Sequence, residues 1–238
     1  MKKRILITND DGITSPGLQQ LAKAAQQFGE VWIVAPEGQR SAVSHCFTYL
    51  TDIVVKEYDY SLEGVKAFSC SGMPADCVRV GIQNLLPEKP DHVFSGINQG
   101  FNMAADIQYS GTVGAVLEGA FWGCHSIAFS HDFHGDHKIT ALYLSEMMER
   151  CMSMPLGKNQ VWNINFPECE PEEFQGVLWD RTVSEDPFYE DYYEETAHAD
   201  GSHSYHVVQK RNWKASEGTD LDAIMTNHIS VGIVKNLK

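Results

Sequence analysis

Four short stretches carry residues able to do chemistry: Asn9-Asp10-Asp11-Gly12, Arg40-Ser41, Ser95-Gly96-Ile97-Asn98 and Tyr109-Ser110-Gly111-Thr112-Val113. Asp10, Asp11, Ser41 and Asn98 each offer oxygen, the donor set of a hard divalent cation such as magnesium, manganese or calcium rather than of zinc. An isolated Asp-Asp-Gly is most simply a turn. It gains weight from Ser41 and Asn98, which supply oxygen at the same edge of the fold. Ser110-Gly111-Thr112 opens a helix rich in small residues, and free N–H groups at a helix start suit a phosphate. The plainer alternative is that Ser110 or Thr112 only caps that helix. Gly96 and Gly100 flank Asn98 and let the backbone approach a ligand closely. A divalent cation beside an anion cradle implies a phosphate ester, hydrolysed by an activated water without a covalent intermediate. Asp10 or Asp11 is placed to take the proton of that water. No Gly-x-Ser-x-Gly nucleophile motif is present.

The elements that must position these residues follow from hydrophobic periodicity. Arg4–Thr8 reads as a strand; Ser15-Pro16 supplies an N-cap and first-turn proline for a helix through Phe28, stopped by Gly29. Val31–Ala35 is the second strand. Helices are expected over Pro74–Leu86, Thr112–Trp122 and Asp136–Met152, and strands over Pro90–Ser95, Ser126–Ser130 and Val161–Asn165. Strands alternating with helices indicate a doubly wound, mostly parallel α/β sheet, whose ligands bind beyond the strand carboxyl ends. Asn9, Asp10, Asp11, Arg40, Ser41, Asn98, Ser130 and Asn165 all fall just past a strand, on one crest. Phe47–Phe68 reads as added β-structure, and residues 168–238 as short strands and loops without helical periodicity. His131–His137 carries three histidines but reads as a solvated loop rather than a second metal site.

Composition bounds the function classes. The chain has 238 residues, 32 acidic and 18 basic, with a net charge of −14 and 43% hydrophobic residues. That is enough for a packed core, and such acidity argues against a nucleic-acid partner. No apolar run reaches the roughly 18 residues of a membrane span. Met1-Lys2-Lys3-Arg4 lacks the apolar segment of a secretory signal, so a cytoplasmic protein is expected. Six cysteines without a Cys-x-x-Cys pair read as reduced thiols. The charge is uneven: residues 168–200 hold 12 acidic side chains and one basic one. A run of this kind is ordinarily a solvated face. Tyr189, Tyr192 and Tyr193, interleaved with the acids, suggest an assembly arm.

These motifs together resemble the SurE survival-protein nucleotidases. The resemblance is carried by Ile7-Thr8-Asn9-Asp10-Asp11-Gly12, Pro16-Gly17, Val34-Ala35-Pro36, Arg40-Ser41, Met73-Pro74-Ala75-Asp76-Cys77-Val78, Ser95–Gly100 with Asn102, Tyr109–Val113 and Asn163–Pro167. It runs in order from about residue 4 to 167, with a weaker continuation at Gly218-Thr219-Asp220, Ala223 and Ser230. The resemblance implies a Rossmann-like catalytic core over 1–167, with a β insertion at about 47–68. Residues 168–238 would then form an acidic, β-rich arm and C-terminal oligomerisation segment. It implies a 5′-nucleotidase hydrolysing nucleoside monophosphates, with possible action on 3′-nucleotides or short polyphosphate. One divalent ion (magnesium or manganese, or else calcium) would sit on Asp10, Asp11, Ser41 and Asn98. Asp10, Asp11 and Asn98 would be catalytic, and Asn98, Ser110, Gly111 and Thr112 would lie near the phosphate. Asn9 and Gly96, on the same crest, join them as candidate substrate contacts. The family also implies a homodimer or homotetramer. Two competing readings are an aspartyl-phosphate phosphatase, whose Asp-x-Asp spacing is missing here, and a nucleotide-binding regulatory protein without turnover.

Overall fold

The computed structural model describes residues 3–235 and Leu237; Met1 and Lys2, at the head of the basic start, lie outside the described residues. The chain opens with β1 (Lys3–Thr8), α1 (Pro16–Ala25) and β2 (Gly29–Pro36). Ser15 caps α1 by accepting the Leu18 amide at 3.2 Å, with Pro16 in the first turn. The two strands pair in parallel, Ile5 beside Val31 and Ile7 beside Ile33, as a strand–helix–strand unit requires. β3 (Val55–Glu57) and β4 (Lys66–Cys70) come from the inserted segment; β3 runs antiparallel to β4, which joins β2 in parallel. α2 (Pro74–Val80) ends in a π turn at Gly81–Leu85, and β5 (His92–Gln99) extends further than its apolar run suggests. A 3-10 turn at Ala105–Tyr109 leads to α3 (Gly111–Phe121), then β6 (His125–His131), α4 (Lys138–Ser153) and β7 (Gln160–Phe166).

Beyond residue 167 lie β8 (Gly176–Leu178), β9 (Tyr192–Ala197), β10 (His203–Val208), α5 (Asp220–Met225) and β11 (His228–Lys235). The main sheet has nine strands in the order β3-β4-β2-β1-β5-β6-β7-β11-β8. β11 returns antiparallel to β7, with Ser230 beside Asn165, and β8 closes that edge. The other two strands, β9 and β10, make a separate antiparallel hairpin whose residues are nearly all exposed. One difference from the sequence reading falls in this region: α5 is a helix where none is expected. Its six residues are capped by Thr219, which accepts the Asp222 amide at 3.3 Å. They are too few to display a 3.6-residue period.

Alternation along the strands explains the double winding. Ile5, Ile7, Ile33, Phe94, Phe129 and Ile164 face α1 and α4, packing on Leu18, Leu21, Met147 and Met148. Leu6, Trp32, Val34 and Val93 face the opposite layer, against Cys77, Val78 and Ala115 of α2 and α3. Successive side chains of a strand point to opposite faces, so strands buried on both sides must be apolar throughout. All six cysteines are free thiols. Among the described residues no helix is long and apolar enough to cross a membrane.

Candidate active site

At the carboxyl edge of the sheet, Asp10, Asp11, Ser41, Asn98 and Ser110 line one cavity of about 740 Å³. Each is delivered by a different local device. The turn after β1 is built by Asn9, whose amide donates to the Gly12 carbonyl (3.0 Å) and the Ser15 hydroxyl (2.8 Å) and accepts the Gly12 N–H at 3.1 Å. Both polar atoms of the Asn9 side chain thus brace the turn, and that side chain does not line the cavity. The loop after β2 is tied back when the Arg40 N–H donates to the Asp10 carbonyl at 2.7 Å and the Ser44 N–H to the Tyr109 carbonyl at 3.0 Å. It exposes Ser41 at the rim.

β5 slips its register against β6 between Ser95 and Asn98, a bulge that re-aims the following side chain. Asn98 donates its amide to the Gly100 carbonyl at 2.7 Å, which holds the side chain at the cavity wall. Gly96 sits at φ +128°, and a Cβ there would meet the Phe129 carbonyl oxygen at 2.2 Å. Gly96 is buried and shapes the strand end instead of lining the cavity. Beneath this loop Asn102 donates to Ser130 (2.7 Å), and its carbonyl accepts from Asn163 (2.8 Å) and Asn165 (3.0 Å). The crest residues Ser130 and Asn165 therefore act as bracing for the loop that carries Asn98.

The start of α3 serves Asp10 directly. The Thr112 hydroxyl donates to Asp10 Oδ1 at 2.6 Å, and a Cβ at Gly111 would come within 3.0 Å of Asp10 Oδ2. Ser110 accepts the Val113 amide at 3.0 Å, so it caps the helix as the plain reading has it, and it also lines the cavity. Of the three residues at this helix start, only Ser110 lines the cavity; Gly111 and Thr112 stand behind it against Asp10.

Asp10 is only 6% exposed, and burial pushes its carboxyl up to about 6, the Asp11 charge adding to the shift and the Thr112 hydrogen bond opposing it. Burial also raises Asp11, against the Gln99 N–H that donates to it at 3.2 Å. Among the described residues neither carboxylate takes part in an ion pair. Asp106 and Asp191 line the same cavity, and among the described residues no Lys, Arg or His does.

The tip of the histidine loop, residues 133–136, is solvated as expected, while its ends are packed. His131 and Asp132 are buried, and His131 stacks on His137 at 3.6 Å. Asp132 receives Arg211 through two bonds of 2.9 and 3.0 Å. Among the described residues no group of three or more His, Cys, Asp or Glu is arranged to hold a metal. Sequence reasoning missed Asp106, Gln99 and Tyr189 as cavity residues; their one available signal is that all three neighbour the motifs or the acidic aromatic run.

Paired carboxylates, an amide and hydroxyls thus gather above the carboxyl edge of an open α/β sheet of the Rossmann-like class, where enzymes of this class bind their ligands. The family model described as "Survival protein SurE" matches residues 5–187. The 5′-nucleotidase SurE of Clostridium botulinum (strain ATCC 19397 / Type A) is 44% identical over 179 residues, covering 73% of this chain and 70% of the relative. That of Methylorubrum extorquens (strain PA1) is 34% identical over 239 residues, covering 96% and 91%. The crystal structure of the SurE protein from Aquifex aeolicus superposes with a TM-score of 0.82 at 30% identity, covering 99% of this chain and 94% of the other. The chain belongs to the SurE family, and with it to the phosphoric monoester hydrolases.

Proposed function

We propose that the protein is a divalent-metal-dependent 5′-nucleotidase that hydrolyses nucleoside monophosphates to nucleoside and phosphate. The observation that carries this reading is the wall of the cavity: four aspartates, two asparagines and serine hydroxyls, without a basic side chain among the described residues. A dianionic phosphate has no partner of opposite charge there unless a cation enters with it. Asp10, Asp11, Ser41 and Asn98 fit that cation, because they offer only hard oxygen and leave the two carboxylates unpaired. When bound, such an ion neutralises phosphate charge and lowers the pKa of a water. Magnesium and manganese suit these donors, and calcium shares their chemistry.

The chain's own residues do the rest. Asp11, the more open of the two carboxylates, takes the proton from the attacking water. Thr112 holds Asp10 in one orientation, and Gly111 lets that carboxylate close on the start of α3. Asn98 and Ser110 hold phosphate oxygens at the wall, with Asn9 and Gly96 shaping the turns beneath them. We further read the enzyme as a cytoplasmic homodimer or homotetramer. The exposed hairpin and six free thiols support that reading.

Phosphate release from a panel of nucleoside 5′- and 3′-monophosphates and short polyphosphate, with magnesium, manganese or calcium, tests the proposal. Release should stop with EDTA and return with added metal. Activity indifferent to EDTA and retained in Asp10→Asn/Asp11→Asn refutes the metal-dependent reading. Nucleotide binding without release under any of these metals favours a regulatory protein.

A further inference from the structure

The cavity is far larger than a phosphate needs, and its outer part is built by the segment that follows the strongest motifs. Tyr189, Tyr193, Val207 and Gln209 line it together with the oxygen donors. This segment is anchored firmly. The Asp106 carboxylate accepts the N–H groups of Phe188 (2.5 Å) and Tyr189 (2.9 Å). Phe188 is fully buried against Phe101 and Trp213. Tyr189 bridges to Arg211, which is clamped on Asp132 at the end of β6.

The result places a phenol beside the catalytic loop. A point one Cβ out from Gly100 lies 3.8 Å from the Tyr189 hydroxyl and 3.7 Å from the Asn98 amide nitrogen. Further out, Tyr193 pairs with Val207 across the hairpin. Directly opposed residues of an antiparallel pair share a face, and here that face borders the cavity. Tyr193 stays 69% exposed, with its ring surface open to a partner.

We infer that the root of this hairpin is the nucleoside-holding wall of the enzyme: Tyr193 stacks on the base, and the Tyr189 hydroxyl hydrogen-bonds the ribose. The inference rests on the nucleotidase reading and assigns the organic half of its substrate. It follows from the groups on the cavity wall. The Tyr189 phenol stands beside Asn98 among the oxygen donors, and Tyr193, four residues further along the chain, offers an open aromatic face on the same cavity. Stacking on an aromatic side chain is tolerant of base identity, so this wall selects for a nucleoside without strict choice among bases.

Three monoesters of increasing size separate the contacts: glycerol phosphate, ribose 5-phosphate and AMP. With the full chain and saturating manganese, Tyr193→Ala should raise KM for AMP about ten- to a hundredfold, the usual cost of losing one base stack. The loss on ribose 5-phosphate should be at least tenfold smaller. Tyr193→Trp should keep the wild-type KM for AMP. Tyr189→Phe should weaken AMP and ribose 5-phosphate alike, and more than glycerol phosphate. Equal losses on all three esters, or Tyr193→Ala with wild-type AMP kinetics, overturn the inference and leave the hydrolase reading standing. Absence of release from every ester by the wild-type enzyme overturns the hydrolase reading, and this inference with it.

Discussion

Thr112→Val removes one hydroxyl and keeps the side-chain shape. In the folded chain that hydroxyl has one partner, Asp10 Oδ1, at 2.6 Å, and the residue is fully buried. A hydrogen bond to a charged group contributes about 1.5–3 kcal/mol. At 1.4 kcal/mol per tenfold, its loss corresponds to roughly a ten- to hundredfold change. The change should appear where Asp10 acts as an anion of fixed orientation, in metal affinity and turnover. A partner that orients a metal ligand has effects of about this size. The assay is the initial rate of phosphate release against manganese concentration, for wild type, Thr112→Val and Thr112→Ser. The valine variant should need at least tenfold more metal for half-maximal rate, and the serine variant should recover most of the loss. Circular dichroism should show the fold intact in both. A valine variant within twofold of wild type at every metal concentration refutes the assignment of Asp10 as a ligand held by Thr112. So does a serine variant as impaired as the valine one.

Gly111→Ala should separate stability from activity. Its new methyl comes within 3.0 Å of Asp10 Oδ2 and Val43 Cγ2, so the carboxylate must shift by a few tenths of an ångström and kcat should fall about tenfold. The same change favours the helix by up to about 1 kcal/mol, so a thermal melt should show little or no loss of Tm. Asp220→Ala should destabilise the chain by about 3 kcal/mol or more in urea titrations. It strands the buried amides of Ala104, Ser184 and Leu221, which Asp220 accepts at 2.9, 3.0 and 2.8 Å. Acid should destabilise the fold through His92, which is 4% exposed. Burial, with His125 and Lys3 adding to it, lowers its pKa from 6.5 to about 4. The unfolded chain takes up a proton first, so the contribution is complete above pH 6.5 and is lost as pH falls towards 4, by about 3 kcal/mol. Urea midpoints across that range should fall less steeply in His92→Phe than in wild type.

The alternation of strands and helices and the two helical layers were legible because one physical pattern governs both; the strand order was not, since no residue pattern says which strand lies beside which. Ile5, Leu6 and Ile7 are apolar on both faces of β1, and only a strand covered on both sides requires that. That these four oxygen-bearing residues meet was legible for a related reason: three follow a strand and Asn98 stands at the end of one, and the ends of parallel strands meet at one crest. Side-chain direction was not legible. In sequence Ser110 and Thr112 read first as caps and only second as phosphate donors, and only the packing shows Thr112 turned to Asp10 and Ser110 capping α3 while facing the cavity. Asn9 looks like a site residue in sequence and is a turn brace in space. Asp106 and Tyr189, 83 residues apart, meet by a backbone hydrogen bond that no local period announces.

Charge shows the same limit most clearly. By composition, the acidic excess belongs to residues 168–200 and leaves the catalytic core nearly neutral. In the fold that stretch is divided. Glu168 and Glu170 reach His137 and Lys138 at the start of α4, Glu190 meets Lys210, and Asp191 turns to the cavity. The exposed pairs among these contribute little to stability; their consequence is spatial. The Glu168 and Glu170 pairs tie the start of the stretch to α4, and Asp191 joins the core's own Asp10, Asp11 and Asp106 in one basin. Four carboxylates repel a phosphate dianion unless cations are present, and each carboxylate removed from the rim should lower that barrier. The acidic segment that composition assigns to the periphery thus adds one carboxylate, Asp191, to the cavity, and under the proposed reading substrate entry would depend on the divalent ion that the paired aspartates would hold.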